Sequence, residues 1–461
     1  MSLLNVRLDD TIVAPATAPG GSIAVIRLSG KDALPICEKI LNGKSLADKA
    51  SHSAHFVKLV HEGQWLDEAV ATVFRNPKSY TGEDVVELSL HGSSFIVQRV
   101  LDALLQGGAR MARPGEFTQR AFLNGKMDLS QAEAVADLIA AQHEGAHNLA
   151  HQQLRGGYSS ELKELREQLI WFASLLELEL DFSQEDVEFA DRSQMETLVR
   201  VIKLKVATLL QSFKLGNVLK KGVPVAIIGM PNAGKSTLLN ALLKEERAIV
   251  SDIAGTTRDT IEEEMNVNGV LFRFIDTAGL RSSADTIEQI GVERSLAKMQ
   301  QADLVLYVMD PTQQSEADVV AHLEQLPETT AMKLVVMNKV DREPLALTEM
   351  SWGGEIVSVL GISAKEGQGI DELKQRLYEQ VMADARTQEE GVIVSNLRHV
   401  DSLQQTAYFM EQVEQGLAGD LPSDLIAHQL RHALHHLGLI TGHITNEDLL
   451  DTIFSKFCIG K

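Results

Sequence analysis

The sequence predicts a multidomain protein: an α+β N-terminal domain, a discontinuous all-α helical domain, and an α/β P-loop domain inserted into the helical one. Three observations carry that prediction. The first 120 or so residues mix turn-rich stretches with short strand-like runs. Residues from about Gly222 to about Gln380 alternate strand and helix signals, as a parallel sheet with crossover helices does. Long breaker-poor helical stretches, roughly Ser130–Val218 and Val392–Lys461, lie on either side of that block. The boundaries expected are 1–125, 126–221, 222–384 and 385–461, the second and fourth segments packing together into one helical domain.

The elements follow in order. Ile12-Val-Ala-Pro-Ala-Thr-Ala-Pro-Gly-Gly-Ser22 leads into the strand-like Ile23–Leu28, with further strand candidates near Ala69–Phe74 and Val85–Leu90. Leu162, Leu165, Leu169, Phe172 and Leu176 recur at helical spacing and predict one buried stripe. Beyond the α/β block the chain is again helical, with a turn expected at Gly438–Gly442.

Length and composition set limits. A chain of 461 residues holds two to four domains, and 44% apolar content is enough for real cores. Cys37 and Cys458 are the two cysteines, too few for a disulfide framework, which points to a reducing, cytoplasmic setting. No basic leader with an apolar run is present, nor any stretch approaching eighteen apolar residues, so no membrane association is expected. A net charge of −21 argues against broad adhesion to nucleic acid and leaves room for a local basic groove.

The chemistry starts at Gly229-Met-Pro-Asn-Ala-Gly-Lys-Ser236, which fits G-x-x-x-x-G-K-[ST]. It follows the strand-like Val223–Ile228 and opens the helix-like Ser236–Leu243, the context such a loop requires. Backbone N–H groups from Asn232, Ala233, Gly234, Lys235, Ser236 and Thr237 would cradle phosphates at a helix N-terminus. Lys235 reaches the β- and γ-phosphates and the Ser236 hydroxyl holds Mg²⁺. Asp276-Thr277-Ala278-Gly279 ends the run Val270–Ile275, placing a carboxylate at a strand's C-terminal edge. Asn338-Lys339-Val340-Asp341 follows Leu334–Met337, and Asp341 offers two acceptor oxygens to the paired N1–H and N2–H of guanine. Ser363-Ala364-Lys365 follows Ile356–Leu360 and would back the base. In this order the chain resembles a small translation-factor-type GTPase.

Ser251-Asp252-Ile253-Ala254-Gly255-Thr256-Thr257 reads as the switch loop, with Thr257 completing the Mg²⁺ shell when the γ-phosphate is present. Leu280 stands where Ras-like enzymes carry the glutamine that orients the attacking water, so hydrolysis needs another arrangement. Asn232 makes the loop similar to a cation-dependent group of GTPases. That resemblance implies K⁺ ligands at Asn232, at the backbone oxygens of Ser251 and Ile253, and at Thr256.

Both ends of the chain carry a further resemblance. Asp10-Thr-Ile-Val-Ala14, Arg27-Leu-Ser-Gly30, Tyr80-Thr-Gly-Glu-Asp84, Glu87-Leu with His91-Gly92, Arg113-Pro-Gly-Glu-Phe117, Ala121-Phe-Leu-Asn-Gly-Lys126 and Phe457-Cys-Ile-Gly-Lys461 resemble the TrmE-type tRNA-modification GTPases. The resemblance implies an N-terminal domain that dimerises and binds a tetrahydrofolate derivative (5-formyl or 5,10-methylene) through Arg27, Glu87, Lys126 and Lys461. It also implies a flavin-dependent partner protein, tRNA as substrate, and a carboxymethylaminomethyl or aminomethyl group built on C5 of the wobble uridine. Glu288 matches the family's acidic residue near the attacking water, and Cys458 is a candidate for the modification chemistry. The rival expectation is a ribosome-assembly GTPase, which would carry a KH-like G-x-x-G module or a basic tail; neither is found. His428, His432, His435 and His436 recur at i, i+4 spacing, with no thiolate or carboxylate placed beside them, and read as a polar helix face.

Overall fold

Strands with alternating burial and strands that are apolar throughout occupy different sheets, and that difference separates the N-terminal part from the P-loop block. The computed structural model describes residues 9–181, 192–244, 263–275, 299–343, 348–383, 392–419 and 421–460.

The N-terminal strands are β1 (Ile12–Pro15), β2 (Ile23–Ser29), β3 (Ser53–His61), β4 (Gln64–Phe74), β5 (Val85–His91) and β6 (Arg110–Met111). They form one six-stranded sheet in the order β3-β4-β5-β2-β1-β6. Alternate residues (Ala24, Ile26 and Leu28 of β2; Val86, Leu88 and Leu90 of β5) are buried under α1 (Ala33–Glu38) and α2 (Ser94–Gln106). The other set, including Arg27 and Glu87, therefore points to the opposite face, and the register pairs these two residues directly. β4 and β5 contain the two expected strand segments, whereas β3 was not anticipated. Only Val57 and Leu59 are fully buried along it, so its apolar signal is short.

After α3 (Glu116–Leu123), the expected helical region is four helices: α4 (Leu129–Ala140), α5 (Glu144–Leu154), α6 (Gly157–Asp181) and α7 (Arg192–Lys221). Gly156, at φ +83°, breaks the chain before α6. The stripe Leu162, Leu165, Leu169, Phe172 and Leu176 is buried, each residue at most 1% exposed. Downstream lie α11 (Leu397–Ala418), α12 (Ser423–Thr441) and α13 (Glu447–Phe454), and α12 packs on α6. The expected turn at Gly438–Gly442 is corrected: α12 runs through Gly438 and ends at Gly442, φ +83°. The Gly442 and Ile444 amides both donate to the Gly438 carbonyl, and the absent side chain at Gly438 leaves room for Ile444.

The P-loop block is β7 (Val223–Ile228), α8 (Lys235–Leu243), β8 (Glu263–Val267), β9 (Val270–Phe274), β10 (Leu304–Met309), α9 (Glu316–Glu324), β11 (Met332–Met337), β12 (Glu349–Trp352), β13 (Glu355–Gly361) and α10 (Ile370–Met382). Its seven strands run β12-β13-β11-β10-β7-β9-β8, parallel in the middle and antiparallel at both edges. β10 is buried on both faces: Leu304, Leu306 and Val308 join one core, Val305, Tyr307 and Met309 the other. That is why it reads as a continuous apolar run.

By contacts, residues 1–139, 151–203 and 402–461 form one unit, and residues 140–150 and 204–401 a second.

Candidate functional site

The phosphate loop is shaped by three residues in the left-handed region: Gly229 (φ +139°), Asn232 (φ +61°) and Gly234 (φ +95°). A side chain at Gly229 would lie 2.1 Å from the Val308 carbonyl, and one at Gly234 would lie 2.2 Å from the Asn338 amide nitrogen. Both glycines are thus required by close approach as well as by φ. Lys235 begins α8 and donates through Nζ to the carbonyls of Gly229 and Met230, each at 2.8 Å. Burial lowers its pKa. Phosphate oxygens entering the loop would take over those donors. Ser236 lies in the first turn of α8, and Thr237, next to it, is exposed.

The two segments expected to read guanine close on this loop. Asn338 is buried, donates through Nδ2 to the Ala233 carbonyl at 2.9 Å, and accepts at Oδ1 from the Ala364 amide at 3.0 Å. One amide side chain thereby ties the phosphate loop, the Asn338–Asp341 turn and the Ser363–Lys365 loop together. The Val340 amide donates to the Ile362 carbonyl at 3.1 Å, a second link between those loops. Asp341 is exposed, and the Ser363 hydroxyl beside it holds its carboxyl below the usual range. Lys365 is exposed and pairs with Glu366 at 3.1 Å.

One residue was missed in the sequence. Asp310 follows β10, is 1% exposed, and pairs with Lys339. Burial raises its carboxyl, while hydrogen bonds from Lys339 and Thr312 bring it below the usual range. A lone aspartate ending an apolar run gives little signal; its position at a strand's C-terminal edge is the cue that was available.

The switch residues Ser251, Asp252, Ile253, Ala254, Gly255, Thr256 and Thr257, the segment Asp276, Thr277, Ala278 and Gly279, Leu280, Glu288 and Lys461 lie outside the described residues.

In the N-terminal sheet, Arg27 donates through Nε to Glu87 Oε1 at 2.8 Å and through Nη1 to the Gly460 carbonyl at 3.4 Å. Its guanidinium lies 5.6 Å from the ring centroids of both Tyr80 and Phe117. Gly460 (φ +97°) approaches so closely that a side chain there would lie 2.0 Å from the Pro15 carbonyl. Lys126 is exposed and donates to the Pro77 carbonyl at 2.9 Å. Cys458 is exposed, whereas burial pushes Cys37 up to about 12, leaving it an inert thiol. The histidines of α12 stack instead of converging: Phe409 lies against His432 and His436 at 4.9 and 5.6 Å. Among the described residues no group of His, Cys, Asp or Glu is arranged to hold a metal.

A P-loop on a mixed seven-stranded sheet, joined by the Asn338–Asp341 and Ser363–Lys365 loops and preceded by an α+β domain, has the organisation of a multidomain GTPase. Comparison with known proteins takes the assignment further. The model of the MnmE helical domain matches residues 129–458, and that of the GTP-binding protein TrmE N-terminus matches residues 11–126. The chain is 54% identical to the tRNA modification GTPase MnmE of Cytophaga hutchinsonii over 454 residues, 98% of each chain. It is 50% identical to that of Christiangramia forsetii (99% of this chain, 100% of the relative) and 47% to that of Bacteroides fragilis (98% and 99%). Among solved structures, the FeoB G-domain of Methanococcus jannaschii is 31% identical over 35% of this chain and 98% of its own, at a TM-score of 0.25, too low for a structural argument. The chain belongs to the TrmE/MnmE family of tRNA modification GTPases. It is a GTP hydrolase acting in tRNA modification, and no described helix is long and apolar enough to cross a membrane.

Proposed function

We propose that this chain hydrolyses GTP in a K⁺-dependent manner and, with a flavin-dependent partner, directs formation of the 5-carboxymethylaminomethyl or aminomethyl group on the wobble uridine of certain tRNAs. The observation that carries this reading is the relationship to tRNA modification GTPases over 98% of the chain. Residues 1–125 serve as the folate-binding and dimerising domain, 126–221 and 385–461 as the two parts of the helical domain, and 222–384 as the GTPase. The setting is the cytoplasm.

In the GTPase, Lys235 neutralises the β- and γ-phosphates, Ser236 and Thr257 hold Mg²⁺, and Asp341 selects guanine. Support for a K⁺ site at Asn232 comes from its geometry. It is exposed on the phosphate loop, its backbone is held in the left-handed region, and Lys339 engages its carbonyl at 3.1 Å. That leaves a neutral amide oxygen, a suitable hard donor, on a fixed backbone. K⁺, when bound, supplies positive charge where an arginine finger would. Ser251, Ile253 and Thr256 complete its shell, and Glu288 acts on the attacking water.

In the N-terminal domain, Arg27, Glu87, Lys126 and Lys461 bind a tetrahydrofolate derivative, which supplies the one-carbon unit. Arg27 presents a planar cation between two aromatic rings, and Glu87 is an acceptor for pterin N–H groups. Cys458, exposed a few residues away in sequence from Lys461, is assigned to the modification chemistry.

The test is the wobble nucleoside of tRNA from a strain lacking the gene, analysed by mass spectrometry before and after the gene is restored. Loss and recovery of the C5 substituent are expected. An unchanged nucleoside would reject the reading.

A further inference from the structure

A chain of net charge −21 must still accept a polyanion, so the place where positive charge concentrates is informative. Helix α7 is that place: its thirty residues carry seven Lys or Arg side chains and one carboxylate, Glu196, and Lys203 pairs with Glu411 and Glu414 of α11. Complementing the helix C-terminus accounts for Lys220 and Lys221, since cations are favoured in a last turn. It does not account for Lys214, two turns earlier and exposed, or for what lies beside the helix end.

There, within the unit of residues 140–150 and 204–401, a cleft of about 260 Å³ is lined by Gln142, Lys220, Lys221, Glu264 and Arg273, among others. Three cations and one carboxylate are among the side chains that line it. Glu264 stands opposite Arg273 across the β8–β9 ladder, a cross-strand pair of opposite charge. Lys214 and Lys221 are seven residues apart, so they share one helix face about 10 Å apart along the axis. The arrangement has cations, a polar side chain and the half-buried His143 but no Phe, Tyr or Trp as a stacking platform, which suits sugar–phosphate backbone better than unstacked bases.

We propose that this cleft, with the lysine face of α7 leading into it, holds backbone phosphates of the tRNA substrate. The proposal rests on the tRNA-modification reading and adds the docking surface to it.

The experiment is a titration of unmodified tRNA transcript onto the full chain with GDP bound, at several salt concentrations. Lys214→Ala, Lys221→Ala and the double variant are compared with Lys163→Ala, an exposed α6 lysine, as control. Each cleft-side substitution should lower the slope of log affinity against log salt by about 1, and the double variant by about 2. The control should leave the slope unchanged, and GTP turnover without tRNA should stay at the wild-type value in all four. A double variant with the wild-type slope and affinity would overturn the proposal, as would a wild-type chain that binds no tRNA. In either case the tRNA-modification reading stands or falls separately, on the wobble nucleoside of the deletion strain.

Discussion

Lys339 donates through Nζ to the backbone carbonyl of Asn232 at 3.1 Å, so the turn proposed to read guanine also fixes the phosphate loop where K⁺ is proposed to bind. The lysine is aimed by Asp310, a buried carboxylate with which it forms an ion pair. Asp310→Asn keeps the shape and removes the counter-charge. Hydrogen bonds to charged groups are worth about 1.5–3 kcal/mol, so GDP should dissociate roughly tenfold faster or more. Stopped-flow release of a fluorescent GDP analogue measures this, and an unchanged rate would remove Asp310 from the positioning role.

Asp341 is proposed to present two acceptors to two guanine donors. In Asp341→Asn one acceptor becomes a donor, which matches the C2 carbonyl of xanthine. GTP affinity should fall by about a hundredfold or more, and xanthosine triphosphate should recover most of the turnover. Preference for GTP persisting in the variant would contradict the assignment.

Asn232→Ala removes the amide oxygen and leaves Lys235 and Ser236 in place. Turnover in K⁺ should fall on the order of a hundredfold, to the rate measured in Na⁺, with GDP affinity nearly unchanged. K⁺ stimulation surviving the substitution would rule out the site.

Arg27→Lys keeps the charge but gives up the planar fork toward Glu87 and the contact with Tyr80 and Phe117. A tetrahydrofolate derivative should bind about tenfold more weakly by equilibrium fluorescence titration. Equal binding would place the folate elsewhere.

Acid should loosen the N-terminal domain through a buried cluster. Arg120, fully buried, pairs with Asp10, Glu83 and Glu116, and Arg110 joins Asp10 and Glu116. Burial raises the carboxyls of Asp10 and Glu116, and the arginines outweigh it, so both end below their usual values. Depressed carboxylates give stability that is complete above their unfolded pKa, near 4, and lost as pH falls through the folded pKa. Thermal melts should therefore be flat near neutrality and drop below about pH 4. Glu116→Gln should cost about 3 kcal/mol at pH 7 and flatten that drop, and a melt unaffected by the substitution would make the cluster irrelevant to stability.

How much of this was legible depended on where the chemistry is stored. The phosphate loop, Asn338–Asp341 and Ser363–Lys365 each keep their chemistry in a few consecutive residues at the end of an apolar run. The strands β7, β9, β11 and β13 were legible as the apolar runs that precede these segments and Asp276, although β13 leaves Ile356 and Ser358 exposed. The Arg120 cluster was not legible, because Asp10 lies 110 residues away and no local pattern links them. Asp310 was invisible as a single carboxylate until β10 and β11 were paired. Gly438 misled, because glycine marks a helix end and a close packing site alike, and only the position of Ile444 separates the two.

Gly460 reaches Arg27 across 433 positions of sequence, and its backbone is wedged against Pro15 too tightly for any side chain. During synthesis, the sheet that carries Arg27 leaves the ribosome long before residues 457–460 exist. The wall those residues form around the arginine is thus among the last parts of this unit to be made. A chain interrupted anywhere in the GTPase block would carry the sheet with Arg27 but lack the Gly460 carbonyl that caps it, so this contact forms only after the whole block between them has been made.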